Sequence, residues 1–213
     1  MSIRYPGGKK YQPVSKGESK NKPTKKDYSF SNRGKTLEDE VNETNDYYLQ
    51  HQLAVVHKKP IPIQIVKVDY PGRTRAVIRE AYYRTPSTTD YNGVYNGKYL
   101  DFEAKETKNK TSFPLQNVHE HQVVHMEQIR QQQGIAFLLV SFSSIERYFF
   151  LSSEKLNFYW DRMKQGGRKS ITLEEFEQAG IEIIPGYTPR VPYLKAVDQY
   201  VTCKESEDET RDE

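Results

Sequence analysis

The chain has 213 residues, 32 Lys/Arg against 29 Asp/Glu, a net charge of +3 and one cysteine, Cys203. That length suits one well-packed domain with extensions, and a single cysteine excludes an internal disulfide and fits a reducing compartment. No apolar run is long enough to span a bilayer and the first residues lack the apolar core of a signal peptide, so a soluble, cytoplasmic protein is expected.

The small net charge hides an asymmetry. Residues 1–35 hold ten Lys/Arg against two Asp/Glu, +8; residues 204–213 hold two against six, −4; the stretch between them is near neutral at −1. The basicity is therefore an arm. Such an arm commonly serves nucleic acid, the bland reading being a solubilising tail. Pro6, Gly7, Gly8, Pro13, Gly17 and Pro23 lie among its lysines. Too few apolar groups are present to offset the entropy of ordering, so residues 1–30 are expected to be flexible. The acidic segment 204–213 is expected to be disordered, leaving 31–203 as the folded domain.

Thr36 reads as a helix cap, with Glu38 and Asp39 in the first turn. Leu37, Val41 and Tyr48 follow at helical spacing and predict a helix over 36–53. Glu38 and Glu40 lie on it, each open between a role near the chemistry and a solvated helix face. Pro60 and Pro62 make the first strand irregular and edge-like. Pro71-Gly72 is a turn signal between two strand-like runs, which predicts a hairpin stalk at about 62–85. Lys67, Arg73, Arg75, Arg79 and Arg84 alternate there with Tyr70, Tyr82 and Tyr83. Basic and aromatic residues interleaved this way suit DNA backbone and unstacked bases; the alternative is an ordinary exposed hairpin.

Residues 88–105 carry the chemistry. On a strand over 99–105, Leu100, Phe102 and Ala104 point to a core while Asp101, Glu103 and Lys105 form a line of charge on the other face. Asn92-Gly93 and Asn96-Gly97 are both turn signals, and a hairpin there folds Asp90 back beside Glu103. Two converging carboxylates with a lysine one strand step away make a site for Mg²⁺, with Mn²⁺ as a substitute. The lysine offsets charge on a phosphorane or positions water. Taken alone, a Glu-x-Lys on an amphipathic strand is also what a solvated face with a weak salt bridge looks like.

Downstream, a helix is predicted over 115–133, stopping at Gly134, with Leu115, Val118, Met126 and Ile129 on one face. Gln122 shares that face and must find a partner, at the metal site or on nearby backbone. His119, His121 and His125 lie on the same helix. His121 and His125 are spaced to bind zinc, but no cysteine lies near; solvent or phosphate contact is the other reading. Residues 135–142 read as a strand buried on both faces, 147–151 as its neighbour, and 153–164 as a helix. Thr172 and Glu175 form a capping box for a short helix closed by Gly180. Residues 181–184 read as a short strand and 190–201 as a closing helix.

The expected class is α/β, a mixed sheet flanked by helices, in the layout of the restriction-endonuclease-like fold with a projecting β-hairpin stalk. Asp90, Glu103, Ala104 and Lys105 resemble the PD-(D/E)xK nuclease superfamily. The run Ser31, Asn32, Arg33, Gly34, the Thr88-x-Asp90 site, the run from Asp101 through Glu103 and Lys105 to Thr107, and His121-Gln122 together resemble the RecU family of bacterial Holliday-junction resolvases. The resemblance implies a homodimeric, Mg²⁺-dependent endonuclease that cuts four-way DNA junctions in recombination and repair. It implies Thr88, Asp90, Glu103 and Gln122 around the metal and Lys105 stabilising the transition state. Asp90, Glu103 and Lys105 are the expected catalytic residues; Arg33, Lys67, Arg73, Arg75 and Arg79 are the expected DNA contacts, and a recombinase is a further possible partner. Superfamily members often place an acid from the first helix near the metal, which bears on Glu38 and Glu40. One departure is plain: Thr89, not proline, precedes Asp90. Two other readings use the same residues: a PD-(D/E)xK nuclease for ordinary or damaged duplex, and a non-catalytic DNA-binding or architectural protein.

Overall fold

The computed structural model describes residues 35–72, 75–84 and 88–209. The arm over 1–30, Arg33 and Arg73 lie outside the described residues. In chain order the elements are α1 (Leu37–Gln50), β1 (Val55–Lys58), β2 (Ile63–Gly72), β3 (Arg75–Tyr83), β4 (Tyr91–Tyr95), β5 (Lys98–Thr107), β6 (Ser112–Pro114), α2 (Glu120–Gln131), β7 (Ile135–Phe142), β8 (Arg147–Ser152), α3 (Ser153–Lys164), β9 (Ser170–Thr172), α4 (Leu173–Ala179), β10 (Ile181–Ile183) and α5 (Leu194–Glu209). No helix among the described residues is long and apolar enough to cross a membrane.

Six strands form one sheet in the order β1-β4-β5-β7-β8-β10. Only β5 and β7 run parallel; the other neighbours are antiparallel. A parallel pair needs a crossover, and α2 supplies it. Every residue of β7 is buried, as expected of a strand covered on both faces. The two faces carry two cores. Phe102, Phe137 and Phe150 pack under α1 and α5, through Val41, Tyr48 and Val197. Leu138, Val140 and Phe149 pack under α2, α3 and α4, through Met126, Leu156 and Phe176. Helix α1 starts where the sequence indicates: the Thr36 hydroxyl accepts the Asp39 N–H at 3.2 Å, and the Asp39 carboxylate accepts the Thr36 N–H at 3.0 Å.

Among the described residues, strands β2 and β3 pair only with each other. Their side chains are nearly all exposed, so the hairpin stands off the core as a stalk. Pro71 and Gly72 belong to β2, with Gly72 opposite Arg75, so Pro71-Gly72 is strand rather than the turn itself.

Four other expectations need correcting. Asn92-Gly93 is not a turn; it lies inside β4. A Cβ at Gly93 would come 2.1 Å from the Val55 carbonyl oxygen, so glycine is there for close strand approach. Helix α2 begins at Glu120, not 115. Phe113 is buried and pairs with Ile171, which holds the chain extended; Leu115 and Val118 are still buried, from a short 3-10 turn and its exit. Helix α5 begins at Leu194 because Pro189 and Pro192 precede it and Val191 and Tyr193 fill the core before it starts. It then continues to Glu209, six residues into the segment expected to be disordered. Lys204 pairs with Glu154 at 2.6 Å and Lys98 lies 3.8 Å from Glu205, which fastens that extension to α3 and β5.

Candidate active site

Local backbone chemistry brings the two acids together. Asn96 (φ 47°) and Gly97 (φ 75°) make the left-handed turn that joins β4 to β5. That turn sets Tyr91 opposite Phe102, the last pair of the ladder, with Asp90 and Glu103 the residues just beyond it. The Asp90 N–H donates to Glu103 Oε2 at 3.0 Å. A row of rings on the other face holds this register: Tyr91 on Phe102 at 4.9 Å, Phe102 on Phe137 at 4.6 Å, Phe137 on Phe150 at 4.4 Å. Each such pair contributes about 0.5–1.5 kcal/mol beyond simple burial. A one-residue slip would turn every ring in β5 to the wrong face and Glu103 with them.

Glu103 is 0% exposed. Burial pushes its carboxyl up to about 7; Lys105 opposes the rise and the Asp90 carboxylate adds to it. Lys105 Nζ lies 2.5 Å from Glu103 Oε1, yet that oxygen receives no directed hydrogen bond. The pair meets as charge against charge. A buried carboxylate oxygen without an aligned donor, beside a second carboxylate, fits a hard divalent cation. Among the described residues no three His, Cys, Asp or Glu side chains converge as ligands. Asp90 and Glu103 are the two carboxylates that meet at this point.

Thr88 stands two residues before Asp90, and its hydroxyl donates to the Thr89 carbonyl at 3.4 Å. Gln122 is buried in the first turn of α2, where its Oε1 accepts the His119 N–H at 2.9 Å. One lone pair of that oxygen remains for another partner. Helix α2 covers the charged face of β5. There His121 and His125 each bury Nε2 without a hydrogen bond, and His125 Nε2 lies 3.3 Å from Asp101 Oδ1. Burial lowers the His121 pKa, helped by His119, Lys105 and His125. Glu40 lies across the sheet, buried, accepting the Tyr148 hydroxyl at 2.9 Å. Glu38 pairs with Lys58 at the start of α1.

Asp101 was legible only as one charge in a line. It is 0% exposed and more fully bonded than either acid of the candidate metal site. Its Oδ2 accepts Lys59 Nζ at 2.7 Å and the Tyr99 hydroxyl at 3.0 Å, and its Oδ1 accepts the Thr89 hydroxyl. Lys59 also donates to Thr89 Oγ1 at 3.0 Å. Sequence reasoning missed Lys59 and the part played by Thr89. The available signal was Asp101 itself, since an acid sharing the face of Glu103 under a helix must find a cation.

On the stalk, Lys67, Arg75 and Arg79 are exposed. Arg79 pairs with Asp69 across the hairpin at 2.7 Å, and Lys67 sits opposite Glu80. Arg73 lies outside the described residues.

A model of the family described as Recombination protein U matches residues 32–199. The chain belongs to the RecU family. The matched span includes the stalk, the whole six-stranded sheet and the Asp90–Glu103–Lys105 constellation. A Bacillus licheniformis protein named Holliday junction resolvase RecU is 56% identical over 197 residues, 92% of this chain and 96% of its own length. A Bacillus cereus RecU of the same name is 54% identical over 198 residues, 93% and 98% of the two chains. A Bacillus anthracis RecU of that name matches at the same identity and coverage.

Proposed function

We propose that this chain is a structure-specific endodeoxyribonuclease that resolves four-way DNA junctions in homologous recombination and repair. The observation that carries the reading is Asp90 tied to buried Glu103, with Lys105 beside it, in a member of a family whose relatives are named Holliday junction resolvases.

Asp90 and Glu103 would hold Mg²⁺, with Thr88 and Gln122 as neutral oxygen ligands and Mn²⁺ able to substitute. When bound, such an ion would supply Lewis-acid polarisation of a phosphodiester and a more acidic water for attack on phosphorus. Lys105 balances the charge that grows on the phosphoryl oxygens. Its contact with Glu103 Oε1 keeps the ammonium within reach of that position. Burial of Glu103 favours its neutral form, so the carboxyl gives up its proton when it takes the metal.

The stalk enters the open centre of the junction. Lys67, Arg73, Arg75 and Arg79 meet phosphates there, and its tyrosines stack on the less constrained bases of the centre. The basic arm, with Arg33, adds phosphate contacts. A homodimer would present two sites to two strands of like polarity, matching the two-fold symmetry of the junction. The domain runs from about residue 31 through the end of α5, the protein works in the cytoplasm, and a recombinase is a candidate partner. Competition between labelled junction and unlabelled duplex tests the substrate: excess duplex should leave most junction bound. Equal displacement by both would favour a nuclease for ordinary duplex.

A further inference from the structure

Asp90 immediately precedes the first residue of β4, Tyr91, and a metal ligand there must be held in a fixed position. The structure holds it from three sides. Lys59 N–H donates to the Asp90 carbonyl at 2.7 Å, and Asp90 N–H donates to Glu103 Oε2 at 3.0 Å. The third hold is on the preceding residue. Thr89 is 2% exposed, and its hydroxyl donates to Asp101 while accepting from Lys59 Nζ at 3.0 Å. Lys59 Nζ in turn reaches Asp101 Oδ2 at 2.7 Å, and Tyr99 completes that carboxylate at 3.0 Å. The result is a closed triangle of ammonium, hydroxyl and carboxylate. Each corner comes from a different part of the chain: the exit of β1, the approach to β4 and the middle of β5.

We propose that Lys59, Thr89 and Asp101 form a clamp that positions Asp90 for metal, with Thr89 as the positioning residue that passes the restraint to its neighbour. The proposal rests on the reading that Asp90 and Glu103 hold the ion. Stability alone is a poor account of the triangle. A buried ion pair gains little net free energy, because desolvation offsets the attraction. What it does supply is direction: a hydroxyl bonded on both sides has no rotational freedom left. Thr89 also occupies the position immediately before the acid. There the restricted backbone of a proline would narrow the chain's freedom; here a side-chain bond does so instead. Partners that orient metal ligands typically change metal affinity by about 10- to 100-fold when removed.

The test titrates Mn²⁺ alone, without DNA, into the full-length protein and its variants by calorimetry. Thr89→Val keeps the branched shape and loses the hydroxyl; Thr89→Ser keeps the hydroxyl. Thr89→Val should weaken Mn²⁺ binding at least about tenfold, with Thr89→Ser within about twofold of wild type. Junction affinity in EDTA should be the same for all three. Lys59→Met should weaken Mn²⁺ binding in the same direction. Asp101→Asn should do so too; if burial of the new amide prevents folding, the Thr89 pair decides alone. Wild-type Mn²⁺ affinity in a folded Thr89→Val protein overturns the clamp, as does a Thr89→Ser loss equal to that of Val, which would make the effect one of packing. Asp90→Asn separates the two ideas. If it abolishes Mn²⁺ binding while Thr89→Val binds normally, the clamp fails and the metal site stands. If Asp90→Asn binds Mn²⁺ like wild type, the metal site itself is wrong and the clamp falls with it.

Discussion

The main-chain N–H of Asp90 donates to the side chain of Glu103 at 3.0 Å, so the two acids of the candidate site are joined through backbone on one side and carboxylate on the other. One oxygen of Glu103 is thereby fixed, while the other faces Lys105 without a directed bond.

The first is a pH dependence. In the folded, metal-free protein Glu103 titrates at about 7, against 4.5 ordinarily. An acid whose pKa is raised by folding keeps its proton longer in the native state, so the native state binds more protons between those two values. Stability from this group therefore falls as pH rises from about 4.5 to about 7, and the loss is complete above 7. Glu103→Gln cannot titrate. In EDTA, the melting temperature of wild type should fall relative to that of Glu103→Gln between pH 5 and pH 8. Parallel curves would mean that Glu103 ionises as freely in the fold as in water. Mn²⁺ affinity should rise about tenfold per pH unit below 7 and level off above it, because the ion displaces one proton.

Lys105 separates charge stabilisation from metal binding. Lys105→Ala should slow junction cleavage about 10²- to 10³-fold, the loss typical of removing one group aimed at developing charge. Mn²⁺ binding should survive, since the lysine is not a ligand and its charge repels the ion. Calorimetry and single-turnover cleavage on one preparation read both quantities. Normal cleavage would reduce Lys105 to a surface partner of Glu103.

On the stalk, Arg75→Ala combined with Arg73→Ala should weaken junction binding more than duplex binding. If both residues meet phosphate, the slope of log affinity against log salt should drop by roughly 2. Equal losses on both substrates would leave the hairpin a general electrostatic contact. Arg79→Ala should have a smaller effect, because Arg79 is already paired with Asp69.

Gly93→Ala tests the fold where β1 meets β4. A Cβ there would overlap the Val55 carbonyl at 2.1 Å, and the neighbour is backbone, which cannot turn aside. Overpacking of this kind costs about 1–3 kcal/mol, read as a lower midpoint in urea. An unchanged midpoint would mean that β1 is loosely held.

Much of this site was legible because strand alternation and turn chemistry are local. Asp101, Glu103 and Lys105 share a face by period two, and Asn96-Gly97 makes the left-handed turn its residues favour. Asn92-Gly93 has the same two residues and makes no turn, because pairing with Val56 overrides the local preference. Leu115 and Val118 kept helical spacing while lying outside the helix, since burial can be met by more than one backbone path. Lys59 was invisible for another reason. It meets Asp101 across 42 positions of sequence, and nothing in either neighbourhood records the other.

Cleavage of a labelled four-way junction by Asp90→Asn and Glu103→Gln, measured beside junction binding without metal, bears most directly on the central claim. Each variant removes one carboxylate of the proposed metal pair and leaves the stalk and arm untouched. Both should bind the junction in EDTA with wild-type affinity and should yield no cleavage in Mg²⁺. Full-rate cleavage by either variant would contradict the assignment of Asp90 and Glu103 as the metal-holding pair.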